Sequence, residues 1–288
     1  MIGNHKTTKG SKILNNISSN LDLNTFVPNY INCSFPHVAL KLKQEGMNCE
    51  LSYLSNLQLV SIPLYTRRQD SKLSMVDYNN VTLLNYPLYE EYLNVKVAQK
   101  QFDSYENGLD YVKNQLKHGE IVTVSGTRYY APYSSDYLNE QYIENFGYSS
   151  LSEYYFVSNH WISILEISSD SLFVYDPIPS KYIGTLSEDN FKSFWMGDRG
   201  IATLTNRPNI DNSLSYGFLD ITTIGRKLSD KEIDDLMVST FKTISYEFNE
   251  GKVFNITDNQ TYFGYSSTLE LISDLHYVDS EQDEDLLN

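Results

Sequence analysis

Apolar residues recur at three- and four-residue intervals through Cys33–Gly46, where Phe35, Val38, Ala39 and Leu42 share a face and Gly46 supplies a stop. This pattern predicts a helix with one buried side. Pro36 fixes its start, because proline is tolerated only where the backbone N–H would have no partner inside the helix. Cys33 is thereby placed at the cap or first position. The same period predicts helices from Ser104 to Gly119 on Leu109, Val112 and Leu116, after Ser187 on Phe191, Phe194 and Trp195, and over Ser266–His276. Ser229 and Glu232 have capping-box spacing and open a helix running to about Asn249. Elsewhere the pattern is that of strands. Glu120–Ser125 and Ile201–Leu204 read so, and residues 50–65 are apolar enough for a core helix and strand, followed by a polar loop, Arg67–Lys72. The clearest strand signal is double: Asn159–Ile167 and Ser171–Asp176, rich in β-branched and aromatic residues, flank the polar break Ser168-Ser169-Asp170 and predict a hairpin.

Helices interspersed with antiparallel strands predict an α+β fold. Asn206–Ser215, with Pro208 and three Asn, marks a boundary, so the expected organisation is a flexible tail over 1–24, a catalytic domain over 25–205 and a helical extension over 206–288 ending in an acidic tail. No internal repeat is visible. With 41% of its 288 residues hydrophobic, the chain can bury a core, which excludes global disorder. A net charge of -15 argues against a nucleic-acid partner and suits a cationic small molecule. Only Cys33 and Cys49 are present, without zinc spacing, so neither a disulfide scaffold nor a metal site is expected. Met1–Lys9 lacks the apolar core of a signal peptide and no apolar run reaches membrane-span length. The expectation is a cytoplasmic protein with reduced thiols.

An antiparallel hairpin returns its last residue to the edge where its first began, so His160 and Asp176 should meet. Cys33 lies about 127 residues before His160, near the separation of nucleophile and base in papain-like enzymes. A cysteine at a helix N-terminus is favoured as thiolate by unpaired N–H groups and the helix dipole. The competing reading makes Cys33 a small residue packed under its helix. His37, one turn along, is assigned to packing or secondary contact, and Cys49 to the core. The long aromatic connection over 126–159 offers Tyr129, Tyr130 and Tyr133, with Trp161 on the strand beyond, as a substrate-binding wall, the alternative being a Tyr-rich cover for the core.

Taken in order, Cys33 with Ala39-Leu40, the run Tyr129-Tyr130-Ala131-Pro132-Tyr133 before a His-headed strand, and Tyr175-Asp176-Pro177 followed by Phe191–Trp195 resemble the N-terminal domain family of butirosin biosynthesis protein H, over about residues 25–205. That family is related to bacteriocin-processing cysteine peptidases. The resemblance implies a papain-like fold, in which an N-terminal helix bearing the cysteine packs on an antiparallel sheet, here with a C-terminal helical extension. It also implies an acyltransferase that forms amides in natural-product (antibiotic) biosynthesis. An acyl or peptidyl group would leave a carrier-protein phosphopantetheine thioester, rest on Cys33 and be captured by an amine, with no cofactor of the chain's own. His160 would be the base and Asp176 would orient it. The peptidases place a Gln about six residues before the cysteine; Val27 stands there, so Asn32 or Asn29 is the expected second oxyanion donor beside the Cys33 N–H. Two other functions are carried forward, a cysteine peptidase or amidase and a non-catalytic papain-like binding module.

Overall fold

The computed structural model of the chain describes residues 33–51, 53–54, 64–67, 75–77, 89–141, 160–197, 215–256 and 259–281. In chain order the elements are α1 (Phe35–Gln44), β1 (Leu64–Arg67), β2 (Met75–Asp77), β3 (Val95–Gln101), α2 (Tyr105–Lys117), β4 (Val122–Gly126), β5 (His160–Ile167), β6 (Ser171–Asp176), β7 (Tyr182–Ser187), α3 (Glu188–Met196), β8 (Gly217–Thr223), α4 (Asp230–Glu250), β9 (Lys252–Ile256), β10 (Asn259–Phe263) and α5 (Tyr265–Glu281), with a 3-10 turn at Arg128–Tyr130. They fall into two compact units, Met1–Gly46 with Val97–Thr222 and Met47–Lys96 with Thr223–Asn288. The expected tail over 1–24 and strand over 201–204 lie outside the described residues.

The first unit is built on a six-stranded antiparallel sheet ordered β3-β8-β4-β5-β6-β7. Strand alternation gives this sheet two different faces. Val122 and Val124 stand opposite Ile164 and Ile162, and Ile164 opposite Val174. Together with Leu172 and Leu186 these form one apolar face, covered by Leu109 and Val112 of α2 and by Phe191, Phe194 and Trp195 of α3. The alternate positions carry Thr123, Trp161, Ser163, Leu165 and Tyr175. Here α1 packs, its Leu40 clustering with Ile121, Leu165 and Tyr175. Burial on both sides explains why β5 reads as a nearly unbroken apolar run: its first six residues are all buried.

Local signals set the helix limits. Ser104 accepts a bond from the Asn107 N–H at 3.2 Å and Ser187 from the Asn190 N–H at 3.3 Å, capping α2 and α3. Gly46 and Gly119, at φ +86° and +85°, turn the chain just beyond α1 and α2. At the start of α1 the structure differs from the sequence expectation by one residue. Ser34 is already in the right-handed helical region and its carbonyl accepts from the His37 and Val38 N–H groups, so Ser34 is the cap and Cys33 precedes it.

The second unit holds a four-stranded sheet ordered β2-β1-β10-β9 and the helices α4 and α5. The capping box is formed: the Ser229 N–H donates to Glu232 at 2.9 Å while Ser229 Oγ accepts from the Glu232 N–H at 3.4 Å. Arg226 clasps the same carboxylate with two nitrogens at 2.9 and 2.6 Å. The region after 206 is therefore not purely helical. It supplies β8 to the first sheet and the β9–β10 hairpin to the second, where β10 pairs with β1. α5 also continues to Glu281, taking in the beginning of the acidic run.

Candidate active site

β5 and β6 bring His160 and Asp176 together. In their register Ile164 faces Val174, which makes His160 and Asp176 diagonal neighbours on the face shared with α3. His160 Nε2 lies 2.8 Å from Asp176 Oδ2, with both side chains buried. This leaves Nδ1 for the sulfur of Cys33, to which the imidazole is also hydrogen-bonded. Cys33 is half-exposed. Burial alone would push the His160 imidazole down; the charge and hydrogen bond of Asp176, joined by the hydrogen bond and charge of Cys33, outweigh it and raise it to about 9. Cys33 thus arrives from the α1 side of the sheet and Asp176 from the α3 side, and His160 stands between them at the first residue of β5.

His37 fixes the helix that follows Cys33 to the strand that carries His160. Its Nε2–H donates to the Trp161 carbonyl at 2.9 Å, which makes Nδ1 the acceptor for the Ser163 hydroxyl at 2.7 Å. Ser163 in turn meets Thr123 Oγ1 at 3.0 Å, so one polar chain ties α1 to β5 and β4. His37 is fully buried, and burial, with the nearby His160 charge, drives its imidazole down to about 3 despite the Trp161 bond. It is a neutral strut, the secondary contact expected of it.

The chain matches no known protein-family model and no curated protein sequence. Among the described residues there is no His/Cys/Asp/Glu group that could hold a metal ion and no helix long and apolar enough to cross a membrane.

The four aromatic residues expected to face substrate are placed differently from one another. Tyr129 and Tyr130, half-buried on the 3-10 turn, meet edge to face at 5.0 Å. Tyr133 stacks on Tyr182 at 3.8 Å with its hydroxyl buried beside Asp176. Trp161 is buried on the α1 side of β5. Asn29 and Asn32 lie outside the described residues, as does the part of the aromatic connection from 142 to 159. Lys100 is ion-paired with Asp220 and Lys96 is exposed. Arg68 and Lys72 are not among the described residues.

Gly126 is a site residue that sequence reasoning passed over as the start of a loop. It pairs with His160 across β4–β5, and a Cβ there would lie 2.2 Å from the Phe194 carbonyl oxygen and 2.5 Å from its ring. The absence of a side chain lets α3 close on the sheet, so that Thr127 N–H donates to that carbonyl at 3.0 Å and Phe194 meets the His160 ring edge to face at 6.4 Å. A glycine ending a buried strand one step before a capping Thr was the available signal. A cleft of about 330 Å³ lined by Lys41, Glu45, Gln115, Glu120 and Asp220 lies toward the other end of α1. It is too far along the helix to belong to the Cys33 site.

Proposed function

We propose that the chain is a papain-like cysteine acyltransferase that forms amides from thioesters. The observation that carries this reading is the buried His160–Asp176 pair at 2.8 Å with the half-buried Cys33 hydrogen-bonded to the same imidazole. The member that must meet substrate is the one that reaches solvent, and the two that must keep their geometry are enclosed.

In the first half-reaction the Cys33 thiolate attacks the donor thioester carbonyl. The donor C–S bond breaks, and the departing sulfur takes the proton from the His160 imidazolium. An acyl-Cys33 thioester and a neutral His160 result. The charge and hydrogen bond of Cys33 help hold His160 up to about 9. Acylation removes both, so the imidazole holds a proton less tightly and is more often neutral at the stage when a base is needed. In the second half-reaction an amine attacks the acyl-Cys33 carbonyl, His160 takes the proton from the attacking nitrogen, and the C–S bond breaks to restore thiolate and imidazolium. Asp176 keeps Nε2 engaged throughout, so Nδ1 is the nitrogen that exchanges the proton. Developing oxyanion charge would be met by the Cys33 N–H at the start of α1, with Asn32 or Asn29 as second donor. The donor would be an acyl or peptidyl carrier protein and the acceptor a small cationic amine, suited to a chain of net charge -15.

Incubation with an acyl carrier-protein thioester followed by intact mass measurement tests this. The expected result is one acyl adduct on Cys33 that an amine discharges faster than water. Cleavage of peptides without aminolysis would make the chain a peptidase. Neither an adduct nor iodoacetamide labelling of Cys33 at neutral pH would make it a binding module.

A further inference from the structure

Asp176 has two carboxylate oxygens and His160 uses one. Oδ2 takes the imidazole, while Oδ1 is buried and makes no bond of full hydrogen-bond geometry among the described residues. The Tyr133 hydroxyl is buried in the same condition. The Asp176 carboxylate acts on the Tyr133 hydroxyl, which places the two buried groups beside one another. An unpaired buried polar atom is costly, and here each of the two supplies what the other lacks.

The surroundings deliver the hydroxyl to that spot. Tyr182 pairs with Asp176 across β6–β7, so its side chain stands beside the carboxylate on the same face. Its ring lies back along its own strand, donating its hydroxyl to the Thr185 carbonyl at 2.9 Å, in space that exists because residue 184 is glycine: a Cβ there would lie 2.5 Å from the Tyr182 oxygen. Tyr133 stacks on this ring at 3.8 Å and 8°. Its loop is braced at both ends, by the Arg128–Asp136 ion pair at 2.9 Å and by the Leu138 N–H on the Tyr129 carbonyl at 3.0 Å.

We infer that Tyr133 is a positioning residue for Asp176, donating its hydroxyl to Oδ1 and so setting both the orientation of the carboxylate and how strongly it holds the His160 proton. This rests on the reading of His160 as the base that Asp176 orients. Burial, and after it the Asp176 charge, pushes the Tyr133 hydroxyl well above its ordinary range, so it remains a donor at every pH at which the site could work. The other groups facing the pair are Cys33, which acts on His160, His37, on which His160 acts, and Tyr175 from β6, which lies by Asp176.

Tyr133→Phe keeps the ring and its stack and removes only the donor. Relieved of that donor, Asp176 turns more of its charge on the imidazolium. The His160 titration, followed by NMR of the labelled imidazole, should move up by about half a unit to one unit, corresponding to three- to tenfold less neutral imidazole on the acid side. The pH dependence of Cys33 alkylation by iodoacetamide should move with it. Tyr182→Phe, which keeps the stack and loses only the bond to Thr185, should leave both profiles in place. Unchanged profiles in Tyr133→Phe, or equal shifts in the two variants, would overturn the inference, since either result makes Tyr133 a packing residue. Neither readout needs an acyl donor, so a missing acyl adduct would sink the proposed function without deciding this question.

Discussion

The two buried histidines should give the fold opposite responses to pH, and His37 supplies the sharper test. Its imidazole falls from 6.5 to about 3 on folding. Hydrogen bonding is not what forbids protonation, because Ser163 could turn to accept from Nδ1 while donating to Thr123; burial and the neighbouring His160 charge forbid it. Below pH 6.5 the unfolded chain therefore takes a proton that the native chain refuses, and stability must fall as pH falls until about pH 3. At about 1.4 kcal/mol per pH unit, this group alone removes roughly 2 kcal/mol by pH 5 and roughly 3 to 4 by pH 4. His37→Gln removes the proton site and keeps a donor and an acceptor. At pH 7 it should cost about 1–3 kcal/mol for imperfect bonding, and by pH 5 most of that deficit should have closed. Urea unfolding followed by tryptophan fluorescence at half-unit steps from pH 7 to 4 measures the difference, in which carboxylates common to both proteins cancel. Parallel stability curves for wild type and variant would refute the assignment of His37 as a buried neutral strut.

His160 has the reverse sign: raised to about 9, it makes the native state the better proton binder, so its contribution is full below pH 6.5 and lost as pH rises through 9, which Asp176→Asn should largely abolish in the same unfolding assay. Cys33→Ala and His160→Ala should each abolish acyl transfer with the fold intact by circular dichroism, and Asp176→Asn should lower the rate less, because the first two make and break bonds and the third orients; near-normal activity of Cys33→Ser would exclude Cys33 as nucleophile. Gly126→Ala should cost about 1–3 kcal/mol and reduce turnover at the same time, since the new Cβ must push α3 away from β4 beside His160; an unchanged melting temperature would show that the helix can yield freely. Discharge of acyl-Cys33 by an amine should accelerate from acid toward mildly alkaline pH, and the acceptor KM should rise with ionic strength; a salt-independent KM, with a neutral amine used as readily as a dication, would remove charge from the account of acceptor binding.

Elements whose limits are set by near neighbours were legible in the sequence. The caps Ser104 and Ser187, the stops Gly46 and Gly119 and the break Ser168–Asp170 each act within a few residues, and all are where the pattern put them. His160 and Asp176 were legible for the same reason, being the two ends of one hairpin. What depended on distant partners was not. β8 sits between β3 and β4, and β10 pairs with β1 nearly two hundred residues earlier, pairings that no local period encodes. The neutral tautomer of His37 follows from Ser163 and Trp161, 126 and 124 residues away. That the Tyr133 hydroxyl lies buried near Asp176 becomes visible only once β7 is laid in register beside β6 and Gly184 clears room for Tyr182. The one-residue offset at Cys33 came from Ser34, whose backbone already follows the helix and takes the capping position.

The chain's two cysteines also make it a natural single-label protein. Cys49 is buried, and burial together with the Asp230 charge pushes its thiol up to about 12, so at neutral pH it offers electrophiles neither access nor a thiolate. Cys33 is half-open to solvent. A chloroacetamide, a vinyl sulfone or a maleimide dye added to the unaltered protein should therefore stop at one equivalent, and at one address. Electrophilic fragments screened by intact mass would then report on the space around a single sulfur, and the shapes that react fastest would outline the groups that this space admits.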